Sequence, residues 1–183
     1  MFKLMELEGV VRIPPRDFGR RLKDVALAEL EDMYVGMIDK RLGYVTAVVD
    51  VKIDPVGRLV LGDGASYHKV SFTVLTFYPE LKEIVDGEVT EITDFGAFVR
   101  LGPIDAILHV SQVIDDFISY DEKSRTLMGK ETGRRVEVGD SIRVRITVVS
   151  FSAGGVGKIG VTSRQPFLGK AEWIEEDLKK LRG

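Results

Sequence analysis

Residues 87–111, GEVTEITDFGAFVRLGPIDAILHVS, alternate apolar with polar or surface-type side chains through 95–101 and again through 106–111. A period of two held over two such runs predicts strands with one buried face, and with the segment before them the stretch reads as three consecutive strands of a small barrel. On the second strand Ala97, Val99 and Leu101 share one face and Phe98 and Arg100 the other. On the third, Ala106, Leu108 and Val110 oppose Ile107, His109 and Ser111. An aromatic, an arginine and a histidine on an outer face are the material of a stacking platform for single-stranded RNA: bases lie on rings and a cation holds phosphates. Gly96, between Phe95 and Phe98, marks a bulge or a close backbone approach. Strict alternation points Phe95 inward, so its exposure depends on that bulge.

A glycine, an apolar pair, Asp94-Phe95-Gly96-Ala97-Phe98-Val99, a Gly-Pro turn and Leu108-His109-Val110-Ser111 follow one another here. This order resembles the OB-fold RNA-binding repeat named after the largest protein of the small ribosomal particle of bacteria. The later half also matches, with Val138-Gly139-Asp140 entering a strand at 142–149 and then Lys158-Ile159-Gly160-Val161-Thr162-Ser163-Arg164. Asp105-Ala106 stands where the repeat commonly has a glycine, and an insert at 114–137 separates the third and fourth strands, which marks a specialised member.

With 44% hydrophobic and 30% charged residues, the 183-residue chain has the composition of an ordinary globular protein of one or two domains. It has no cysteine and only two histidines, His68 and His109, so neither a disulfide framework nor a histidine- or cysteine-rich metal site is expected. Lys3, Glu6 and Glu8 interrupt any signal-peptide pattern, and no apolar run is long enough to span a bilayer, so the expected location is cytoplasmic. The net charge of −3 excludes a general polycation, but its distribution is uneven. Residues 81–122 hold two basic against ten acidic side chains, and 123–145 seven basic against three acidic. A barrel with one basic side can bind RNA inside an acidic protein.

Ahead of the barrel, 2–13 reads as a strand, stopped by Pro14-Pro15, which opens a helix where a missing N–H is harmless. Over 16–35 the residues Phe18, Leu22, Val25, Ala26, Leu30 and Met33 recur at helical spacing, with Gly36 near the end, and this stripe is expected to pack on a sheet. The valine-rich strand 43–53, a turn at Asp54-Pro55-Val56-Gly57, a short strand 58–61, a second turn at Gly62-Asp63-Gly64 and a strand 68–78 complete the first domain. The fold class is therefore an α+β N-terminal domain, one long helix on a small antiparallel sheet in a truncated RNP-like arrangement. An all-β OB-fold barrel with an insertion and a C-terminal helix follows, with the domains at 1–80 and 81–183. The basic-Gly-aromatic-Gly/Ala-aromatic motif of an RNA-recognition sheet is missing, so the first domain is expected to bind protein. Gly62, Asp63 and Gly64 are the candidate contact, since flanking glycines permit close backbone approach.

Taken whole, the chain resembles the E-prime family of archaeal RNA polymerase components, counterparts of the seventh-largest component of eukaryotic RNA polymerase II. The resemblance rests on Pro14-Pro15, Val49-Asp50-Val51, Gly62-Asp63-Gly64 with Tyr67-His68, the barrel signature, and Gly129-Lys130-Glu131-Thr132-Gly133 in the insert. It continues through Arg164-Gln165-Pro166-Phe167-Leu168-Gly169 and Glu172-Trp173-Ile174. It implies a polymerase stalk: the first domain plugs its tip into the polymerase core, the F polypeptide of the RNA polymerase binds alongside as a heterodimer, and the barrel projects toward emerging single-stranded RNA.

For RNA contact the candidates are Phe98 and His109 as stacking groups, then Phe95, with Arg100, Lys158 and Arg164 as phosphate or base partners and Arg143 and Arg145 behind them. Trp173, Ile174, Leu178 and Leu181 of the terminal helix pack either on the barrel or across to the F polypeptide. The acidic pairs Asp115-Asp116 and Asp121-Glu122 are the only hint of metal-assisted cleavage, and no phosphate-cradling loop or nucleophile elbow is present. No intrinsic catalysis and no cofactor are expected. The competing readings are an RNA-binding component of an exosome or translation initiation complex, and an adaptor whose barrel never touches RNA.

Overall fold

The strand β1 (Phe2–Ile13) ends at the proline pair, and Pro15 opens a 3-10 turn, Pro15–Asp17. The computed structural model describes residues 1–152 and 155–182, and the chain divides into two units, Met1–Tyr78 and Pro79–Gly183. In the first, β1 is followed by α1 (Leu22–Tyr34), β2 (Ile38–Asp39), β3 (Gly43–Ile53), β4 (Arg58–Val60) and β5 (Asp63–Phe77). They form one antiparallel sheet in the order β1-β5-β3-β2. The long β5 pairs with β4 through Tyr67 and Ser66 and with β3 from Val70 onward.

The helix covers one sheet face: Val25, Ala26 and Leu30 pack against Val11, Val45, Val51, Phe72 and Val74, all nearly inaccessible. It begins at Leu22 rather than at 16. Asp17 N, Phe18 N and Arg20 N each bond to the carbonyl three residues back, and the Asp17 carboxylate takes both Arg16 and Arg20, which closes tight turns where an α-helix needs four-residue bonds. Phe18 of the expected stripe thus falls outside the helix and stays exposed, and Met33, near the C-terminal end of α1, is exposed as well.

The second unit contains β6 (Ile84–Thr93), β7 (Gly96–Leu101), β8 (Ile104–His109), β12 (Ser141–Ser152) and β13 (Gly155–Thr162). Their order β13-β8-β7-β6-β12 is closed by pairing of β12 with β13, which makes a five-stranded barrel with β8 and β13 parallel. Closure removes the sheet edges and directs Val89, Val99, Ala106, Leu108, Val144 and Ile146 into a core where each is 0% exposed. The third strand stops at His109 rather than at 111, because Val110–Gln112 turns into a 3-10 helix whose cap is His109 itself. The bulge expected at Gly96 lies instead on β6, between Val89 and Glu91. Gly96 is in register with Thr93 and His109, and its need is close approach: a Cβ there would stand 2.2 Å from the Leu108 carbonyl oxygen.

The insert folds into a three-stranded sheet of β9 (Ile118–Asp121), β10 (Thr126–Gly129) and β11 (Arg135–Val136), around buried Leu127 and Val136. The chain then closes with β14 (Gly169–Lys170) and α2 (Ala171–Arg182). Trp173 of α2 is 4% exposed, which settles its packing as intramolecular, while Leu178 and Leu181 remain exposed. Arg134 clasps the insert to α2: its guanidinium lies 5.3 Å from the Trp173 ring centroid and donates to Asp177 at 2.9 Å and Glu176 at 3.3 Å. Arg134→Ala is expected to destabilise this unit by about 1–2 kcal/mol, the scale of a partly desolvated cation–π contact with its ion pairs. Denaturant unfolding followed by the fluorescence of Trp173, the sole tryptophan, measures it, and an unchanged midpoint would exclude the clasp.

Candidate nucleic-acid interface and docking tip

Strand register sets the outer face of the barrel. Glu91 on β6, Phe98 on β7, Ile107 on β8 and Gly160 on β13 lie opposite one another in one row. The neighbouring row brings Gly96 beside His109. Phe95 is 47% exposed because it occupies the tight turn between β6 and β7, and its ring meets Phe98 edge-on with centroids 6.0 Å apart. The Phe95 carbonyl accepts the Val110 N–H at 2.9 Å, which fixes this turn to the end of β8.

His109 is exposed, and its Nδ1 accepts the Ser111 N–H at 3.2 Å and lies 2.8 Å from Ser111 Oγ. An accepting Nδ1 leaves the proton of the neutral ring on Nε2, available as a donor to a base or ribose. Between β8, β12 and β13 runs an open groove of about 440 Å³, lined by Ile107, His109, Gln112, Thr147, Val148 and Lys158 among others.

The cations of the interface differ sharply. Arg100 is held bidentately by Asp105 at 2.9 and 3.3 Å, Arg143 by Asp86 at 2.8 and 3.2 Å, and Arg164 by Asp115. Arg145 is half-buried with its Nε unpaired. Lys158 is exposed, and among the described residues no carboxylate pairs with it. Phe95, Phe98, His109 and Lys158 therefore form the part of the candidate set best prepared for RNA, since each paired arginine must first release a carboxylate to hold a phosphate.

Three of the four carboxylates in the acidic pairs of the insert, Asp115, Asp116 and Asp121, are bonded within the chain. Asp116 accepts the Thr132 N–H at 2.9 Å and hydroxyl at 2.8 Å and the Glu131 N–H at 3.1 Å, and the Thr132 backbone bond leads the interactions that lower its pKa. Asp121 accepts the Ser124 hydroxyl at 2.8 Å and the Lys123 N–H at 3.0 Å.

In the first unit the loop 61–62 joins β4 to β5 as a two-residue turn, with Val60 opposite Asp63 and Gly62 at φ +89°. Only Gly62 of the expected trio lies in the turn; Asp63 and Gly64 open β5. Asp63 accepts Arg12 Nε at 2.9 Å and Nη2 at 2.7 Å, the Tyr67 hydroxyl at 2.6 Å and the Ala65 N–H at 3.2 Å. The Arg12 guanidinium, and after it the Tyr67 hydroxyl, hold the Asp63 carboxyl well below the usual carboxylate range. Asp63 thus fastens the hairpin, and the surface it presents is apolar: Val56, Leu59, Val60 and fully exposed Leu61. Leu59, Val60 and Leu61 run into the 61–62 turn and Val56 lies in the turn before β4, an exposed apolar group of the kind that makes a candidate contact surface.

Comparison with known proteins agrees with both units. A family model described as the S1 RNA binding domain matches residues 78–156, and one described as the SHS2 domain found in the N terminus of Rpb7p/Rpc25p/MJ0397 matches residues 8–64. DNA-directed RNA polymerase subunit Rpo7 of Saccharolobus shibatae is 43% identical over 180 residues, covering 98% of this chain and 100% of that protein. The chain belongs to the Rpo7 family of DNA-directed RNA polymerase subunits. The Rpo7 of Saccharolobus solfataricus is likewise 43% identical over 98% of this chain and 100% of its own length. More distantly, Bos taurus DNA-directed RNA polymerase III subunit RPC8 is 30% identical over 157 residues, 82% of this chain and 77% of that one. A relationship to Rpo7 over the whole length sets aside the exosome and translation-factor readings, which the barrel by itself leaves open.

Proposed function

We propose that the chain is the non-catalytic stalk component of DNA-directed RNA polymerase, supporting initiation and elongation. Its first unit docks on the polymerase core by the hairpin tip, it pairs with the F polypeptide of the RNA polymerase as a heterodimer, and its barrel binds the emerging single-stranded transcript. The observation that carries this reading is the kinship with Rpo7 across both units, joined to an apolar tip in one and an aromatic, histidine and lysine face in the other. Exposed Leu178 and Leu181 on α2 supply apolar surface for a partner polypeptide. Nucleotide transfer belongs to the polymerase: Asp115, Asp116 and Asp121 are each spent on bonds within the chain. The place of action is the cytoplasm of an archaeal cell, and no helix of the described residues is long and apolar enough to cross a membrane.

Phe98→Ala and His109→Ala test the RNA face. Each is expected to weaken single-stranded RNA binding by about 1–3 kcal/mol, the contribution of one stacked base, with polymerase association unchanged. Lys158→Gln is expected to lower the salt dependence of binding by about one ion, as for a single phosphate contact. Wild-type affinity in both aromatic variants would leave the adaptor reading in possession.

A further inference from the structure

His68 lies on β5 below the docking tip and is 6% exposed. Its Nδ1 stands 2.8 Å from the Asp54 carbonyl oxygen and its Nε2 3.0 Å from Ser66 Oγ. A carbonyl oxygen can only accept, so Nδ1 carries the proton of the neutral ring and Nε2 accepts the Ser66 hydroxyl.

The donor end of the ring holds the segment between β3 and β4. Asp54 N donates to the Lys69 carbonyl at 2.9 Å, and the Asp54 carboxylate accepts the Val56 N–H at 2.9 Å, so one residue caps the turn with its side chain and is anchored by its backbone. Gly57 then passes against the imidazole: a Cβ there would lie 2.4 Å from Nε2 and 2.6 Å from Cε1. The next residues are β4, in register with the two residues that precede His68, Arg58 opposite Tyr67 and Leu59 opposite Ser66. The far end of the same hairpin is fastened by Asp63 to Arg12 and Tyr67.

We propose that His68 is a positioning residue for the docking tip. Through the Asp54 carbonyl and the Gly57 backbone it fixes the start of β4, and so presents Leu59 and Leu61 in the shape that the polymerase core receives. Docking then requires little ordering of the loop, the advantage of a surface organised before it binds. The role rests on the reading of the tip as the docking surface.

Association of the full-length chain with polymerase lacking this component tests it, with four variants. His68→Ala and Gly57→Ala, one removing the ring and the other displacing it from the opposite strand, are each expected to weaken association about tenfold, the scale of one lost buried hydrogen bond. His68→Asn, whose amide N–H replaces the Nδ1 donor, is expected to recover most of the loss. Single-stranded RNA affinity is expected to be unchanged throughout. In the wild-type chain the ¹⁵N signals of His68 are expected to show a protonated Nδ1, and in Gly57→Ala to lose that signature. If His68→Ala unfolds the unit, Gly57→Ala decides in its place. Leu61→Asp separates the two claims: wild-type association of that variant overturns tip docking itself. Loss in Leu61→Asp with wild-type association of His68→Ala and Gly57→Ala overturns the role of His68 alone.

Discussion

Leu61→Asp is expected to abolish recovery of the large polymerase subunits on tagged full-length chain, a loss of more than about 3 kcal/mol or over a hundredfold in affinity. Leu61 is fully exposed at the turn after β4, so its side chain contributes little to the fold, and a surface substitution there shifts stability by no more than about 0.5 kcal/mol. Inserted into an apolar pocket of a partner, the same position carries a central share of the binding energy. A carboxylate placed there is desolvated without a counter-charge, which is among the most costly outcomes at an interface. An unchanged thermal midpoint with lost association supports docking by the tip. Normal recovery of polymerase contradicts it.

Gly96→Ala is expected to destabilise the barrel by about 3 kcal/mol or more, and to remove RNA binding with it. The new Cβ meets the Leu108 carbonyl oxygen at 2.2 Å and the His109 Cα at 2.9 Å, both backbone atoms of the adjacent strand that have no flexible end to yield. Residue 96 also sits at φ +151°, a conformation that side-chain-bearing residues rarely adopt. Relief requires β7 and β8 to separate where they carry Phe98 and His109, so stability and RNA affinity fall together. Denaturant unfolding reported by Trp173, with RNA titration of the same sample, measures both. A stable variant with intact RNA binding would show that the two strands have room for a methyl group between them.

The barrel was legible because period-two alternation is a local signal and closure leaves a uniformly apolar interior. Ala97, Val99, Leu101, Ala106 and Leu108 are all buried, and Phe98, Arg100 and His109 all lie on the other side. Alternation failed where the backbone leaves the regular pleat. Phe95 is outward because it is in a turn, and Val148 is outward because register slips between Ile146 and Val148 on β12, so the groove wall formed by Val148 and Thr147 carried no periodic signal. The same cause acts at the short strand read over 58–61, where a register shift between Leu59 and Val60 leaves both side chains exposed.

Charge pairing was the least legible feature. Arg143 meets Asp86 and Arg164 meets Asp115 only because strands remote in sequence come into register or adjoin at the barrel end. The sequence ranks Arg100 and Arg164 beside Lys158, with Arg143 and Arg145 behind them, whereas the fold pairs Arg100, Arg143 and Arg164 with carboxylates and leaves Lys158 open. The flanking glycines single out Asp63 as a contact residue, whereas its bonds to Arg12 and Tyr67 leave no local signal in the sequence.

A photoreactive benzoyl-phenylalanine in place of Phe98, carried by the full-length chain in a reconstituted, transcribing polymerase, tests directly whether the chain joins the enzyme by one unit and meets the transcript with the other. The expected result is a crosslink to nascent RNA that appears only when the transcript is long enough to leave the core, and that disappears in the Leu61→Asp background. Incorporation of the chain into the transcribing complex with no crosslink to RNA at any transcript length would contradict an RNA-binding stalk.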